Sequence, residues 1–263
     1  MQHLNLEELR IKAEPVIRQA GQMLREQFGA DSLVVERKKD GSYVTAVDLA
    51  SERILKEGLQ PLLPEAGFFA EESGQSGNSE LEWVIDPLDG TTNFVHGLPY
   101  WCVSVALTIK QRPVLAFVYQ PLLDQLFWAV EGQGAYCNEQ RMHISHAAQL
   151  QKTLVVIGLP YSRDRAFAQM LAHVPSIATQ TYSFRYFGAA ALDQAYVAKG
   201  SLDGICFPRL GWWDIAAGML LIKEAGGILT DFQGKTLDAG YESYVAGSAQ
   251  VHAELLEILK MRL

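Results

Sequence analysis

The sequence predicts one layered α/β or α+β protein, in which helices and strands mix along the whole chain. Of its 263 residues, 49% are hydrophobic and 20% are charged, which is typical of a folded globular protein. Segments of helical and of strand periodicity follow one another without a low-complexity linker or a repeat of fixed length. The stretch 140–151 is polar and has no clear period, so it is the best candidate for a boundary within the chain. We therefore expect one unit with subdomains of about 1–145 and 146–263.

The first element is predicted to be an amphipathic helix, because apolar residues recur every three or four positions from Leu9 to Phe28. Asn5 and Glu8 have the spacing of an N-cap and its capping partner. Pro15 lies inside the pattern and predicts a kink or a later start of the helix, since proline cannot donate the helical hydrogen bond.

The remaining elements are predicted from the period of their apolar residues and from the turn residues that punctuate them. A turn is expected at 38–41. Strands are expected at 43–47, 67–70, 83–85, 103–109, 114–119, 125–130, 153–157 and 228–231. Further helices are expected at about 49–63, 163–173, 189–198, 214–225 and 248–260. Ser248 is a good N-cap for the last of them.

The net charge and the cysteine content indicate which binding partners and which cellular compartment to expect. The net charge is −8, from 30 acidic and 22 basic residues, which argues against binding of a nucleic-acid backbone. A bound cation could still recruit an anionic substrate. Three separated cysteines, Cys102, Cys137 and Cys206, favour a reducing compartment. The sequence shows neither the apolar region of a secretory signal nor an apolar run of the ~20 residues that span a bilayer. We therefore expect a cytoplasmic protein without nucleic-acid or membrane partners.

Common nucleotide-binding motifs are incomplete in this chain. Gly234–Thr236 ends like a phosphate-binding loop, but Leu229 stands where that pattern requires glycine. Gly132 and Gly134 begin a G-x-G pattern, but Cys137 occupies the third glycine position. The six histidines show no pair at metal-binding spacing.

The most informative segment is 83–94, WVIDPLDGTTNF, because an apolar strand ends there in two carboxylates. A proline turn separates Asp86 from Asp89 and brings like charges close together. Mg²⁺ would relieve their repulsion, since it prefers oxygen ligands and keeps waters that a phosphate can replace. Gly90 permits a close backbone approach, and main-chain N–H groups of a helix starting at Thr91 could hold phosphate. The alternative is an Asp-Pro turn followed by a helix cap.

Three further acidic sites have the same ambiguity. Glu71 and Glu72 follow an apolar strand, where a solvated turn is the alternative. Asp214 heads an apolar helix and Asp48 stands at a strand-to-helix junction, where helix capping is the alternative. Each site alone has a structural explanation, but their joint occurrence in this order favours a shared metal site.

These segments resemble the inositol monophosphatase family, the Mg²⁺-dependent and lithium-sensitive phosphatases, and the resemblance runs from the first helix to the last. The motifs that carry it are V-T-A-V-D at 44–48, E-E-S at 71–73, D-P-L-D-G-T-T-N-F at 86–94, W-D-x-A-A-G at 213–218, E-A-G-G at 224–227 and A-G-S at 246–248. The resemblance implies the sugar-phosphatase fold, an alternating αβαβα sandwich, and a homodimer that acts on a small phosphorylated substrate.

The same resemblance assigns a metal site and a nucleophile. The implied ligands of two or three Mg²⁺ ions are the side chains of Glu71, Asp86, Asp89 and Asp214 and the main-chain carbonyl of Leu88. Two metals about 3.5–4 Å apart can hold both the attacking and the leaving oxygens of an in-line displacement. A metal-activated water would attack, with Thr91 and Asp48 as the catalytic pair. The aspartates of a covalent aspartyl-phosphate mechanism are two residues apart, whereas Asp86 and Asp89 are three apart.

The implied substrate contacts come from both halves of the chain. The first subdomain carries the metal and phosphate motifs, and the second carries Asp214 and the substrate side. The resemblance places the main-chain N–H groups of Gly90 and Thr91 on the phosphate, and Gly188, Ala189 and Ala190 beside the alcohol. Arg209 is either a contact for a second anion or a surface or subunit-contact residue.

Two departures from the family pattern affect which substrate we expect the protein to prefer. Family members that prefer inositol phosphates usually have a glutamate seven residues before the W-D aspartate, where it binds sugar hydroxyls. This chain has Phe207, which cannot accept a hydrogen bond, and it has Ala189 where serine or threonine is frequent. The run 208–211 and the K-x-D-x-S spacing at 38–42 resemble relatives that cleave adenosine 3′,5′-bisphosphate, whereas T-N-F-V-H-G-L-P at 92–99 is of the inositol type.

Three functions follow from these observations. The leading one is Mg²⁺-dependent hydrolysis of inositol monophosphate, or of a related polyol or sugar phosphate, to the free alcohol and phosphate. The second is hydrolysis of adenosine 3′,5′-bisphosphate by the same residues. The third is a catalytically silent regulatory binding protein, since some bacterial relatives contact the transcription machinery. The implied ligands and the Thr91–Asp48 pair are all retained, which favours an enzyme.

Overall fold

The computed structural model describes residues 4–30, 35–38, 41–237 and 243–260. Its helices are α1 (Leu6–Gln27), α2 (Ala46–Leu59), α3 (Thr91–Val95), α4 (Arg165–Gln180), α5 (Ala190–Ala198), α6 (Trp212–Glu224) and α7 (Ala249–Lys260). Its strands are β1 (Val35–Arg37), β2 (Tyr43–Thr45), β3 (Gly67–Ala70), β4 (Gly74–Ser76), β5 (Leu81–Asp89), β6 (Cys102–Ile109), β7 (Arg112–Gln120), β8 (Gln125–Val130), β9 (Gly134–Cys137), β10 (Gln140–Arg141), β11 (Leu154–Ile157), β12 (Ser183–Arg185), β13 (Gly204–Phe207), β14 (Ile228–Thr230) and β15 (Tyr244–Gly247).

Most strands belong to two sheets. The larger sheet has the order β10-β9-β8-β7-β6-β5-β3-β4, and within it only β3 and β5 pair in parallel among the described strands. The smaller sheet has the order β12-β11-β13-β15-β14, with β11 parallel to both of its neighbours. In the larger sheet, the register between β5 and β6 shifts between Asp86 and Asp89. The predicted double-aspartate motif therefore lies where the regular pairing of β5 is interrupted.

The helices cover the two sheets in alternating layers. α1 and α2 pack against β5, β6 and β7 on one face of the larger sheet. α5 and α6 contact the other face of that sheet, and they also contact β13 and β14 of the smaller sheet. α4 and α7 pack together, and they contact β12, β13 and β15. Buried apolar side chains fill each boundary, for example Ile17, Ile215 and Leu255. This α–β–α–β–α order confirms the predicted layered fold.

The long periodic helices occur where the sequence predicts them, although some boundaries differ. A main-chain N–H of the first turn of α1 donates to Asn5 Oδ1 at 3.1 Å, which confirms the predicted cap. α1 continues through Pro15, so a later start is wrong. α4 covers 165–180 rather than 163–173, because the Asp164 carboxylate accepts two N–H groups of its first turn and thereby sets its beginning.

The short strands are the elements that periodicity misses. β13 and β15 have four residues each and are buried throughout, so no apolar–polar alternation marks them. The strands of the larger sheet end at Arg141 and those of the smaller sheet begin at Leu154, while the predicted division into subdomains stays a prediction. The predicted turn at 38–41 includes residues 39 and 40, which lie outside the described residues.

The described helices include none that is both long enough and apolar enough to span a membrane. Cys102, Cys137 and Cys206 are free and buried.

Candidate active site

A cavity of about 450 Å³ lies where the carboxyl end of β5 meets the first turns of α5 and α6. Its volume is within the range of small-molecule binding sites. The residues that line it come from the segments 42–43, 71, 86–91, 158–164, 186–190 and 207–214. The topology therefore brings the separate sequence motifs to one place.

Two buried carboxylates stand at the end of β5. Asp86 Oδ1 accepts the main-chain N–H of Leu88 at 3.0 Å. The Asp89 carboxylate accepts three main-chain N–H groups from the first turn of α5, at 3.0, 2.8 and 3.2 Å. Asp89 thus caps a helix that begins about a hundred residues later in the chain. The alternative considered from the sequence is a cap of the helix that directly follows the Asp-Pro turn.

Asp214 completes a cluster of three carboxylates from the first turn of α6. Its Oδ2 accepts the main-chain N–H of Gly211 at 2.6 Å. One oxygen each of Asp86, Asp89 and Asp214 lies within 4.8 Å of the other two. Oxygen donors that converge in this way fit a hard divalent cation. The structure brings these three predicted ligands together, and their binding of metal stays a prediction.

The electrostatics of this carboxylate cluster also fit a cation. Burial raises the pKa of Asp86 and Asp214 well above the usual value, and repulsion from neighbouring carboxylates raises both further. Burial also raises the pKa of Asp89, to about 6, against the opposing effect of its hydrogen bonds from α5. The metal-free cluster therefore tends to retain protons, and a cation that replaced them would satisfy the ionised oxygens.

Glu71 lines the same cavity but is engaged by a lysine. Lys38 Nζ donates to Glu71 Oε1 at 2.6 Å and to Glu72 Oε1 at 2.7 Å. Burial lowers the pKa of Lys38, but its attraction to the two glutamates outweighs this effect, and the pKa is raised overall. Burial raises the pKa of Glu72 to about 7. An internal cation thus contacts the carboxylate that the family resemblance assigns to metal binding.

The predicted catalytic pair is in contact. The Thr91 hydroxyl lies 3.2 Å from Asp48 Oδ1 and 3.0 Å from the Leu88 carbonyl oxygen. Asp48 Oδ2 accepts the Thr45 N–H at 2.9 Å and the Thr45 hydroxyl at 2.5 Å. This capping box explains why α2 begins before the predicted 49–63. Burial raises the pKa of Asp48, which makes its carboxylate a stronger proton acceptor.

The backbone beside the carboxylate cluster is closely packed. Gly90 has a φ of +88°, and a Cβ there would lie 3.0 Å from both Ala189 Cβ and the Tyr100 carbonyl oxygen. Glycine is therefore required at this turn. Gly188, Ala189 and Ala190 line the cavity together with Gly90 and Thr91, so the predicted phosphate and alcohol contacts lie in one cavity. Their roles stay predictions.

Arg209 and Phe207 also line the cavity. Arg209 Nη1 forms an ion pair with Asp164 Oδ2 at 2.8 Å, and its side chain is 58% exposed. The structure thus places Arg209 at the cavity, as a substrate contact requires, but with an acidic partner already in place. Phe207 is buried in the cavity wall.

Gln194 is a site residue that the sequence analysis missed. It is fully buried in α5, and its amide donates to the Ala190 carbonyl at 2.9 Å and to the Asp214 carbonyl at 2.8 Å. Gly218 permits this contact, since a Cβ there would lie 2.1 Å from Gln194 Oε1. Gln194 therefore joins the first turns of α5 and α6. The sequence does carry one signal for this residue, because a glutamine is unusual in a helix of small and apolar residues.

Known proteins resemble this chain over nearly its whole length. The family model described as the inositol monophosphatase family matches residues 5–261. A Nus factor SuhB from Pasteurella multocida is 38% identical over 244 residues, with 91% of each chain covered. An inositol-1-monophosphatase from Mesorhizobium japonicum is 38% identical over 246 residues, with 92% of each covered. The solved structure of extragenic suppressor protein suhB from Bartonella henselae has a TM-score of 0.91 at 34% identity, over 95% of this chain and 97% of that one.

Proposed function

Because the chain belongs to the inositol monophosphatase family, we propose that it is a Mg²⁺-dependent hydrolase of phosphate monoesters. The first candidate substrate is inositol monophosphate, or a related polyol or sugar phosphate, which would yield the free alcohol and phosphate. The observation that supports this proposal is the cluster of Asp86, Asp89 and Asp214, which shares one cavity with Thr91.

Mg²⁺ is the cofactor that the donors of the cavity fit best. The groups proposed to hold two or three ions are the carboxylates of Glu71, Asp86, Asp89 and Asp214 and the Leu88 carbonyl. All of these donors are oxygens, which suit a hard cation that retains some of its waters. Bound Mg²⁺ would neutralise charge on the phosphate and on the leaving oxygen and would lower the pKa of a water.

Thr91 and Asp48 are proposed to orient the attacking water and to receive its proton. When the Thr91 hydroxyl donates to Asp48 Oδ1, the Thr91 oxygen can accept a hydrogen bond from water. The proton of the water then passes through Thr91 to Asp48, which the raised pKa of Asp48 favours. Thr45 holds the other oxygen of this carboxylate in place.

The phosphate is proposed to contact the main-chain N–H groups of Gly90 and Thr91, with the alcohol beside Gly188, Ala189 and Ala190. Fixed donors of this kind stabilise the charge of the transition state without reorganisation. Arg209 would contact the substrate only by exchanging its ion pair with Asp164 for a contact to a second anionic group.

Phe207 favours a second candidate, hydrolysis of adenosine 3′,5′-bisphosphate, because an apolar wall gives a polyol no hydrogen-bond acceptor. A catalytically silent binding protein, which the name Nus factor of one relative suggests, is disfavoured because this chain retains the Thr91–Asp48 contact. A homodimer in the cytoplasm, without nucleic-acid or membrane partners, stays a prediction.

Release of phosphate from inositol 1-phosphate and from adenosine 3′,5′-bisphosphate, with Mg²⁺ or with a chelator, tests the proposed function. We expect release only with Mg²⁺. Thr91→Val, which removes the hydroxyl at constant volume, should lower kcat about 10²–10⁴-fold, whereas the matched control Thr91→Ser should retain most of it. Absence of release from both substrates would reject the hydrolase, and release unaffected by the chelator or by Thr91→Val would reject the mechanism.

A further inference from the structure

We propose that the part of the cavity lined by Phe207 selects phosphate monoesters whose alcohol carries a flat, apolar ring, and that Phe207 is the residue that determines this specificity. This inference rests on the proposed hydrolase function, and within that function it favours a ring-bearing substrate, as in the second candidate, over the polyol phosphates of the first. Three features support it: the position of the Phe207 ring, the aromatic side chains around it, and the pairing of the nearby polar groups.

The Phe207 ring has a defined position in the cavity wall. Phe207 ends β13, and Gly158 follows the parallel strand β11, with the Gly158 N–H donating to the Cys206 carbonyl at 2.9 Å. A Cβ on Gly158 would lie 1.6 Å from Phe207 Cδ1, so the ring lies directly against the glycine backbone. Only 5% of Phe207 is exposed. The absence of a side chain at 158 is thus what allows a ring to form this part of the wall.

Other aromatic and apolar side chains extend the wall. These are Tyr43, Leu159, Pro160, Tyr161, Tyr186, Leu210 and Trp213. Trp213 stacks on Phe69 with 5.6 Å between ring centroids, which restrains its plane. Tyr161 and Tyr186 are 47% and 52% exposed, so a substrate can reach them. A flat ring that enters such a site gains stacked or edge-on contacts beyond simple burial.

The hydroxyls of two cavity tyrosines, Tyr161 and Tyr186, already have partners within the protein. The Tyr161 and Thr92 hydroxyls are 3.1 Å apart, and the Tyr186 hydroxyl donates to the Leu159 carbonyl at 3.4 Å. A hydroxyl that donates to such a partner has no proton left to donate to a polyol, although its oxygen can still accept one. A ring-bearing alcohol can contact the same tyrosines and leave both hydrogen bonds intact.

The charged groups at the rim are paired in the same way. Asp164 Oδ2 accepts the Ser162 hydroxyl at 3.1 Å and Arg209 Nη1 at 2.8 Å, and its other oxygen caps α4. The carboxylate cluster lines the same cavity as the aromatic wall. We expect a monoester bound with its phosphate at that cluster to place its alcohol against this wall. Water adds to phosphorus and gives one proton to Asp48 through Thr91, the P–O bond to the alcohol breaks, and the alcohol oxygen takes up one proton in exchange, so that one water is consumed for one alcohol and one phosphate released.

The test compares kcat/KM for inositol 1-phosphate, benzyl phosphate and adenosine 3′,5′-bisphosphate with saturating Mg²⁺, in wild type, Phe207→Glu and Phe207→Leu. Each substrate is compared with itself across variants, so differences in leaving-group reactivity cancel. We expect Phe207→Glu to lower the ratio of ring-bearing substrate to inositol 1-phosphate by at least about tenfold, which corresponds to about 1.4 kcal/mol. Phe207→Leu, which is apolar but lacks the ring, should lower that ratio by a smaller factor.

A fall of this ratio in Phe207→Glu supports the inference, and the ring-bearing substrate with the larger fall identifies a simple aryl or a nucleoside alcohol. A ratio unchanged in Phe207→Glu overturns the inference and leaves the hydrolase standing. Absence of release from all three substrates instead rejects the hydrolase itself.

Gly158→Ala tests the same inference if Phe207→Glu does not fold, because the added methyl must displace the ring. Calorimetric titration in Mg²⁺ with benzylphosphonate, and with inorganic phosphate as the control, requires no turnover. We expect the variant to bind benzylphosphonate at least about tenfold more weakly and to bind phosphate as wild type does. Equal weakening of both ligands, or of neither, overturns the proposed role of the ring.

Discussion

Replacement of Asp86 by asparagine distinguishes the energetic cost of the carboxylate cluster from its proposed function. The variant removes one negative charge and retains an oxygen that can accept the Leu88 N–H. The Asp86 oxygen lies within 4.8 Å of oxygens of Asp89 and Asp214, so one fully ionised pair repels by about 3.5 kcal/mol at an effective dielectric constant of about 20. Retained protons already relieve part of this repulsion. We therefore expect the metal-free variant to be more stable by about 2 kcal/mol, or about 5 °C in Tm for a chain of this length.

This gain in stability should depend on pH. Burial and neighbouring carboxylates raise the folded-state pKa of Asp86 above its unfolded value. Its contribution to stability is therefore full below the unfolded pKa, about 4, and is lost as the pH rises through the folded pKa. Wild type and Asp86→Asn should melt at similar temperatures below about pH 4 and should separate as the pH rises to about 8.

Thermal denaturation followed by circular dichroism, in a chelator and then in Mg²⁺, measures these changes. At neutral pH, Mg²⁺ should stabilise wild type more than the variant, because a ligand stabilises the state that binds it, and the variant should release no phosphate. Lower stability than wild type in the chelator, or an equal gain from Mg²⁺, would refute the reasoning. Asp89→Asn should also abolish turnover, but it disturbs the cap of α5 and is the poorer probe of charge.

Two further predictions concern residues around the carboxylate cluster. Lys38→Met removes the cation that contacts Glu71. Mg²⁺, measured by calorimetry, should therefore bind to this variant several-fold more tightly, a change of about 1 kcal/mol in binding free energy. Weaker binding would contradict a competition between the lysine and the metal. Gln194→Met removes the side-chain hydrogen bond that each of two helix carbonyls accepts in addition to its backbone partner, which should lower the free energy of unfolding by about 1–3 kcal/mol in total and also reduce kcat. Gln194→Glu, which cannot donate to both carbonyls, should be at least as impaired, and a wild-type Tm in both variants would exclude the bridging role.

The parts of the fold that the sequence predicts are those with a long local period. α1 has 22 residues and β7 has nine, and both show their pattern without reference to the rest of the chain. β13 and β15 are too short for a period to show. They are strands because they pair with each other, with Gly204 opposite Gly247, and this pairing is a long-range property.

The same distinction holds in the candidate site. Asp86 and Asp89 are conspicuous because their motif is continuous in sequence. The contact of Lys38 with Glu71 spans 33 residues, and the position of the Phe207 ring depends on Gly158, which follows another strand. Such contacts follow from the order of strands and from the meeting of helix ends, neither of which the local pattern of this chain specifies.

From the sequence, helix capping and metal binding are alternative roles for these aspartates. In the structure, the first role does not exclude the second. Asp48, Asp89 and Asp214 each accept main-chain N–H groups at the start of α2, α5 and α6 respectively. The partial positive charge of a helix N-terminus stabilises an adjacent carboxylate by about 0.3–1 kcal/mol. Three helix starts thus partly offset the repulsion among the carboxylates before any metal binds. A chain with 30 acidic residues can therefore concentrate several of them in one cavity and still fold, as the proposed cation site requires.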